Sequence, residues 1–330
     1  MGGTEEQPVS AVVVRRRLRG DERFAVTGAS GWLGRTALDL LAGALGAPAF
    51  AERVVGYASA RKSVRLRSGL DVPLRPLAEL SRSDPPPTHI LHFAYQTRDR
   101  AAVLGLGPYV VANLEITTTV LDAVQRHRPE GVLVASSGAV YAADGGFAVD
   151  LTQNPYGSLK FQEEMILRRA AGDVGARSVV ARVFSVAGAY MTKPELYVLG
   201  DLVLRALAGA SLVLRSRDPV YRSYCAAADV VALGLVCLLG ESVPADVVFD
   251  SGGKVVEVGE LAERVRAVLG LPHLAIERSF LSGGAADRYV GDTDQMAVLA
   301  SRYGLRLQSL DEQIIDTAAF LRSGIAGYEG

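Results

Sequence analysis

Tyr156 and Lys160 are four residues apart in the run Asn154-Pro-Tyr-Gly-Ser-Leu-Lys160. If a helix begins here, both side chains lie on one of its faces. Free tyrosine has a pKa of about 10, so a nearby ammonium would bring the phenol closer to working pH. Interconversion of an alcohol and a carbonyl needs such a proton donor while hydride moves. Ser137 follows an apolar run and is placed to hydrogen-bond the oxygen that reacts.

A second motif, Thr27-Gly-Ala-Ser-Gly-Trp-Leu-Gly34, has glycines at positions 28, 31 and 34 between an apolar run and a helical pattern. The first glycine permits a tight turn, the second lets the backbone approach a pyrophosphate, and the third allows close packing of helix on strand. The helix N-terminus then offers free N–H groups to the anion. This motif predicts a dinucleotide site lined by Gly28, Ser30, Gly31, Trp32, Leu33 and Gly34.

The choice of dinucleotide depends on the end of the second strand. NAD-binding chains usually have an acid there to bond the adenosine ribose. This chain continues Ala58-Ser-Ala-Arg-Lys62, without an acid. Ser59, Arg61 and Lys62 could hold a 2′-phosphate through charge-assisted hydrogen bonds. The sequence therefore favours NADP(H), with NAD(H) as the alternative.

Short apolar runs alternate with amphipathic stretches, which is typical of an α/β fold. We expect a Rossmann-type, doubly wound parallel sheet and a smaller mixed α/β C-terminal lobe. The predicted strands are 23–27, 54–57, 72–74, 89–93, 131–135, 178–182 and 247–250. Residues 1–22 should form a loosely attached arm, 23–185 the dinucleotide-binding domain, and 186–330 mainly the substrate lobe. Residues 228–255 should return to the first domain.

Composition excludes several other classes. The 330 residues include 35 basic and 36 acidic side chains, which gives no general charge for binding nucleic acid. The longest apolar stretch, Val230 to Leu239, is about half a membrane span. Two cysteines and a polar, acidic N-terminus predict a cytoplasmic protein. The four histidines lack metal-ligand spacing, so we expect no metal site.

Together these motifs resemble the extended short-chain dehydrogenase/reductases, in particular the NAD-dependent epimerase/dehydratase family acting on nucleotide sugars. The resemblance covers Phe24 to Leu321. Besides the glycine turn and the Tyr-Lys run, it rests on Ser136-Ser-Gly-Ala-Val-Tyr141, Asn113-Leu-Glu-Ile-Thr-Thr-Thr-Val-Leu-Asp122, His92-Phe-Ala94, Tyr221-Arg-Ser-Tyr-Cys-Ala-Ala-Ala-Asp229 and Arg288-Tyr-Val-Gly-Asp-Thr293.

The resemblance implies further roles. Asn113 would support Lys160 through water, and Phe93 and Ala94 would lie beside the cofactor. Tyr95, in the loop after the fourth strand, is a further candidate for the cleft. Arg222 would bind a nucleotide diphosphate, and Arg288 would lie near the substrate phosphates. The resemblance also implies a homodimer, formed through helices 109–127 and 154–171.

Two departures from the family pattern limit the reaction. Ser185 replaces an asparagine that would touch a phosphate, so we expect a different grip on the substrate there. In the 4,6-dehydratases, an Asp-Glu pair follows the residue that matches Ser137. Gly138 and Ala139 occupy those positions here, and neither side chain can transfer a proton. Dehydration of that type is therefore not expected.

The remaining reactions are redox steps at a sugar carbon. The missing strand-two acid favours a keto-sugar nucleotide reductase that uses NADP(H). An epimerase working through a transient ketone with bound NAD is the alternative. A reductase of a small non-nucleotide ketone or aldehyde is a second alternative. The position of Arg222 should distinguish it, because Arg222 and Arg288 together in the cleft would indicate that the substrate carries a diphosphate. A non-catalytic cofactor-sensing scaffold is disfavoured because Ser137, Tyr156 and Lys160 are all present.

Overall fold

The computed structural model describes residues 9–240, 243–279 and 284–324. The strands are β1 Phe24–Thr27, β2 Val54–Ala58, β3 Lys62–Arg65, β4 Asp71–Pro76, β5 His89–His92, β6 Gly131–Ser137, β7 Arg177–Val183, β8 Ser185–Ala187, β9 Leu212–Leu214, β10 Val220–Ala226, β11 Asp246–Asp250, β12 Lys254–Glu257, β13 Ile276–Arg278 and β14 Asp287–Tyr289. The helices are α1 Val9–Arg15, α2 Trp32–Leu45, α3 Ala47–Arg53, α4 Arg98–Leu104, α5 Leu106–His127, α6 Pro155–Asp173, α7 Val198–Leu207, α8 Ala227–Leu239, α9 Val258–Val268, α10 Thr293–Arg302 and α11 Leu310–Arg322.

The described residues form a main sheet of eight strands in the order β11-β7-β6-β5-β1-β2-β4-β3. All neighbours are parallel except β3, which returns antiparallel to β4. Alternate residues of each strand face opposite sides of the sheet. Ile90 and Val132 therefore pack under α5 and α6, whereas Leu91 and Leu133 pack under α2 and α8. The expected Rossmann-type doubly wound fold is confirmed.

A smaller lobe follows β7. Strands β12, β10 and β14 form a sheet to which β8 adds, and β9 pairs with β13. Helices α7, α9 and α11 cover these strands with a second apolar core that contains Leu202, Leu261 and Ile314. The chain returns to the main sheet at β11, which pairs in parallel with β7.

The N-terminal segment differs from the expected loose arm. Within its described part, α1 packs into the main core, with Ala11 and Val14 buried beside α2 and α8. Arg15 Nε donates to Ala44 O at 2.8 Å. The physical reason is the run Ala11-Val-Val-Val14, which gives a short helix an apolar face that the core covers.

The most apolar stretch of the sequence lies in α8, whose side chains are nearly all buried in the core. None of the helices formed by the described residues combines the length and apolar composition needed to cross a membrane.

Candidate active site

The carboxyl ends of β1, β5 and β6 meet at one edge of the main sheet, because these strands are parallel neighbours. The glycine turn follows β1, the segment 92–95 follows β5, and Ser137 ends β6. Ligands of open α/β sheets bind at such an edge. We call residues 27–34 together with residues 92–95 the cofactor wall.

The glycine turn has the compact form that its spacing predicts. Gly28 has a φ of +63°, and a Cβ there would lie 2.5 Å from Ala94 N. A Cβ on Gly34 would run into the carbonyl oxygen of Gly28. A Cβ on Gly31 would meet only the Gly28 carbonyl, at 3.3 Å, so its outer side is open. Within the described part of the chain no side chain caps the start of α2, whose first N–H groups remain for an anion. These features fit a dinucleotide pyrophosphate.

Of the side chains expected in this turn, Trp32 is buried and meets Tyr197 of the smaller lobe edge to face, with ring centroids 5.7 Å apart. Its Nε1 has no hydrogen-bond partner among the described residues. Leu33 packs against both apolar cores, and Ser30 is half-buried in the turn itself. Trp32 and Leu33 thus join the two lobes next to the turn.

The residues expected to recognise a 2′-phosphate are on the surface after β2. Ser59, Arg61 and Lys62 are all exposed. The Arg61 guanidinium forms an ion pair of 2.8 Å with Glu79. An anion that uses Arg61 must therefore compete with a carboxylate.

Tyr156 and Ser137 come together. Tyr156 is in the first turn of α6, which Asn154 caps by accepting from Gly157 N at 2.9 Å. Tyr156 lies near Ser137, whose hydroxyl lowers the pKa of the phenol. Burial has the larger effect and raises the pKa of Tyr156, and the charge of Glu163 raises it further. The phenol is therefore protonated in the free protein and can donate a proton to an oxygen beside Ser137.

Lys160 is buried, but it does not contact Tyr156 among the described residues. Its Nζ donates to Ala135 O at 2.8 Å and to Glu163 Oε2 at 2.7 Å. The same ammonium lies 3.7 Å from the centroid of the Tyr95 ring, and that ring meets Tyr156 edge to face. The expected Tyr156–Lys160 pair is thus bridged by the Tyr95 ring.

The remaining residues of the cofactor wall are held by hydrogen bonds. Phe93 N and Ala94 N lie 3.2 and 3.3 Å from Thr27 Oγ1, which links the segment after β5 to the glycine turn. Asn113, buried on α5, accepts from Gln96 N at 2.8 Å. It braces the loop after Tyr95, and no contact with Lys160 is described.

The position after Ser137 has no room for a side chain. A Cβ on Gly138 would lie 2.5 Å from the ring of Phe184. Phe184 also packs against Tyr289. An acidic side chain could stand at 138 only if this aromatic packing changed.

The residues expected to bind the substrate lie on β8, β10 and β14 of the smaller lobe. Arg222 and Tyr289 are register partners on these strands, so their side chains share one face. Arg222 Nη2 forms an ion pair of 2.7 Å with Asp287. Both line a cavity of about 330 Å³ with Glu195, Asp201 and Arg215. We call Ser185, Arg222, Asp287 and Tyr289 the substrate wall.

The structure does not bring Arg288 into this wall. Arg288 is paired with Tyr221, faces the other side of the sheet and stacks on the Tyr221 ring at 4.8 Å. The next residue points to the site instead, because Tyr289 Oη lies 3.3 Å from Ser137 Oγ. Side chains alternate along a strand, so an error of one residue in matching the motif reverses the face. Ser185 is half-buried on β8, beside Tyr224.

Sequence reasoning missed Tyr289 and Glu163. The alternation of side chains along Asp287-Arg-Tyr289 could have identified Tyr289 only if the side of the sheet that Arg222 faces had been known. Glu163 is three residues after Lys160, and residues at this spacing are neighbours on a helix. This spacing could have predicted their ion pair.

Comparisons with known proteins agree with this geometry. The curated UDP-glucose 4-epimerase of Azospirillum brasilense is 30% identical over 177 residues, which are 51% of this chain and 50% of that protein. The alignment thus spans about half of that relative. The solved UDP-glucose 4-epimerase of Thermus thermophilus with NAD is 22% identical, with a TM-score of 0.69 over 92% of this chain and 99% of its own. The UDP-N-acetylglucosamine 4-epimerase of Methanobrevibacter ruminantium with UDP-N-acetylmuramic acid is 18% identical, with a TM-score of 0.70 over 92% and 99%.

The solved structures are similar to this chain in fold. The family follows from the sequence itself, because the family model described as "NAD dependent epimerase/dehydratase family" matches residues 24–248. This match includes the glycine turn, Ser137, Tyr156 and Lys160. The resemblance expected from the motifs is therefore confirmed, and the chain belongs to the NAD dependent epimerase/dehydratase family.

Proposed function

We propose that this protein epimerises a nucleotide sugar through a transient ketone, with a nicotinamide dinucleotide held on the cofactor wall. The observation that carries the proposal is the placement of Tyr156, in the first turn of α6, near Ser137 at the carboxyl end of β6, beside the glycine turn. Ser137 would orient the sugar hydroxyl. Tyr156, after losing its own proton, would take the proton of that hydroxyl and return it when the ketone is reduced. When bound, the cofactor supplies hydride transfer at the same carbon.

Glycine at 138 and alanine at 139 support simple redox over dehydration. Removal of water needs a further acid and base, and neither residue can supply them. The partial match to a UDP-glucose 4-epimerase favours epimerisation over net reduction. For the same reason we propose NAD(H) in place of the NADP(H) that the sequence favours. The ion pair of Arg61 with Glu79 supports this choice, because it engages the guanidinium that a 2′-phosphate would need.

The test is incubation of the purified protein with UDP-glucose, without added cofactor, followed by chromatography of the nucleotide sugars. Epimerisation predicts a product inverted at one sugar carbon and no net oxidation of a nicotinamide. Consumption of added NADPH with a keto-sugar nucleotide, and no epimer from UDP-glucose, would favour the reductase.

A substrate without a nucleotide is the second candidate, and one observation favours it. The substrate wall presents Arg222 already paired with Asp287, and the cavity has three carboxylates against two guanidinium groups. A diphosphate would enter a site with no excess of positive charge. Calorimetry with UDP alone separates the two candidates, since binding supports the nucleotide sugar and no binding supports the small ketone or aldehyde.

We further propose a homodimer formed through α5 and α6, in the cytoplasm. These helices pack against each other and expose Val111, Leu114 and Met165, which are 54%, 39% and 53% accessible. Exposed apolar side chains clustered in this way are typical of protein interfaces. Light scattering should give twice the mass of the chain, and a Met165→Glu variant should reduce it.

A further inference from the structure

Two residues in the segment between β8 and α7 have an unusual backbone conformation. Tyr190 and Lys193 have φ values of 64° and 52°, in the left-handed region that residues with a Cβ rarely adopt. Among the described non-glycine residues, the third with a positive φ is Arg128, which caps the end of α5. Strained conformations persist only where the surrounding structure holds them, and they cluster at functional sites. Contacts with the rest of the molecule must therefore hold this segment in place.

The first half of the segment is anchored in the protein. Ala189 N donates to Asp316 Oδ2, on α11, at 2.9 Å. Tyr190 and Met191 are both buried, and the Tyr190 hydroxyl accepts from Arg67 N at 2.6 Å. A buried ring and hydrogen bonds thus offset the strain at Tyr190, and this half of the segment is fixed to the smaller lobe.

The second half, residues 192–197, lies mostly at the surface, and we call it the strap. Lys193 Nζ donates to Asp99 Oδ2, on α4, at 2.6 Å, and the two side chains are 50% and 38% accessible. At the other end, the exposed Tyr197 ring meets Trp32 edge to face. An exposed ion pair and a single ring contact contribute little to stability. The strap can therefore open at small cost while the first half stays in place.

The two contacts of the strap place it across the cofactor wall. Trp32 belongs to the glycine turn, and Asp99 follows the second part of the wall by four residues. Lys193 and Tyr197 join these two points through the short run of residues between them. Tyr197 also lines the cavity that contains Arg222. The strap therefore separates the cofactor wall from this cavity, and a dinucleotide on the wall would lie behind it.

We propose that the strap retains the bound dinucleotide, and that the ion pair between Lys193 and Asp99 is the latch that must break before the dinucleotide leaves. The inference rests on the proposed function only in placing a nicotinamide dinucleotide on the cofactor wall. Opening frees Lys193 from its left-handed conformation, which offsets part of the lost ion pair and keeps the latch reversible. Entry and exit both require the strap to open. A weaker latch should therefore raise both rates and leave the affinity nearly unchanged.

The test is the release of NADH from Lys193→Met, followed by stopped-flow fluorescence after mixing with excess NAD. Methionine keeps an unbranched side chain and removes the charge. We expect release to accelerate by roughly two- to fivefold, the range that an exposed ion pair allows, with little change in the Kd from calorimetry. Higher ionic strength should accelerate release from the wild type but not from the variant. An unchanged rate would overturn the proposal, and so would a Kd that rises in proportion to the rate, because Lys193 would then bind the cofactor directly.

Two further variants separate the latch from a general effect of charge. Arg65→Met removes another exposed ion pair, the 2.8 Å contact with Asp71 at the outer edge of the main sheet, where both side chains are 60% accessible. This matched control should release NADH at the wild-type rate. Lys193→Asp combined with Asp99→Lys reverses the latch and should restore slow release, since aspartate tolerates the left-handed conformation. Equal acceleration in Arg65→Met, or fast release from the reversed pair, would contradict a specific latch.

A measurement without cofactor distinguishes failure of the latch from failure of the proposed function. Trp32 is the only tryptophan of the chain, and Tyr197 of the strap covers its ring. Acrylamide should therefore quench the Trp32 emission more strongly in Lys193→Met than in the wild type or in Arg65→Met. Equal quenching in all three proteins would overturn the proposal. If NADH does not bind, the proposed function fails, whereas a difference in quenching would still show that Lys193 closes the strap.

Discussion

The substrate wall reaches the carboxyl edge of the main sheet through Tyr289 and Ser137, but it differs from the cofactor wall in how closely it follows the family pattern. On the cofactor wall, the glycine turn, Phe93 and Ala94 lie where the motif predicts, and their backbones are tied together through Thr27. On the substrate wall, Arg288 faces away, Tyr289 reaches Ser137, and Arg222 is paired with Asp287. The comparison indicates that the expected dinucleotide site has the geometry that its motif predicts, whereas the expected substrate site departs from its motif at Arg288.

The largest expected effect belongs to Tyr156, the proposed proton-transfer residue. Tyr156→Phe keeps the ring that packs on Tyr95 but removes the proton donor. We expect turnover of UDP-glucose to fall by about 10²–10⁴-fold, the usual contribution of a general acid or base. Unchanged circular dichroism would show that the fold is intact. Turnover within a few-fold of the wild type would mean that another group, such as Tyr289, moves the proton.

The second prediction tests how tightly the cofactor wall is built. Gly28 and Gly46 both have positive φ, but only Gly28 has backbone atoms where a Cβ would go. Gly46→Ala should cost about 1–3 kcal/mol for the backbone conformation alone, because a φ of 78° with a ψ of 156° is almost confined to glycine. Gly28→Ala should cost more and should also abolish NAD(H) binding. Denaturant unfolding and calorimetry measure both effects, and equal losses of stability would contradict the close approach of Ala94.

The third prediction compares the two arginines of the smaller lobe. Arg222→Leu should weaken UDP binding by roughly tenfold or more, because a charged hydrogen bond contributes about 1.5–3 kcal/mol. Arg288→Leu should weaken it far less, since its side chain stacks on Tyr221 outside the cleft. Calorimetry with UDP decides between them. The reverse order of effects would restore Arg288 to the substrate wall.

The smallest effect is expected at the edge of the cofactor wall. Arg61→Ala removes an exposed ion pair, and such pairs contribute about 0–1 kcal/mol. The affinity for NAD(H), measured by calorimetry, should change by less than about threefold. Loss of a clear NADP(H) preference in this variant would instead support the reductase that the strand-two sequence favours.

The same contrast explains how much the sequence could predict. The glycine turn, the strands around it and the start of α6 depend on neighbours close in sequence, and all were predictable from spacing. Arg222 and Tyr289 are 67 positions apart, and their shared face depends on the register between β10 and β14. Periodicity within one segment carries no information about that register.

Contacts with residues distant in sequence set a second limit on what the sequence could predict. The pairing of Tyr156 with Lys160 was expected from a four-residue spacing, but Tyr95 and Glu163 engage the ammonium instead. Tyr95 comes from the loop after β5, so no helical pattern could show that its ring lies between the two. The buried α1 was missed for a related reason, because its short apolar face has meaning only against α2 and α8.

The proposed function depends most directly on the cofactor wall. The decisive measurement is calorimetry of NAD(H) and NADP(H) binding, after any retained cofactor has been removed and quantified. We predict one NAD(H) per chain, bound more tightly than NADP(H) and partly retained through purification. If neither dinucleotide binds, the glycine turn is only a structural connection, and the proposed chemistry at Tyr156 and Ser137 is contradicted.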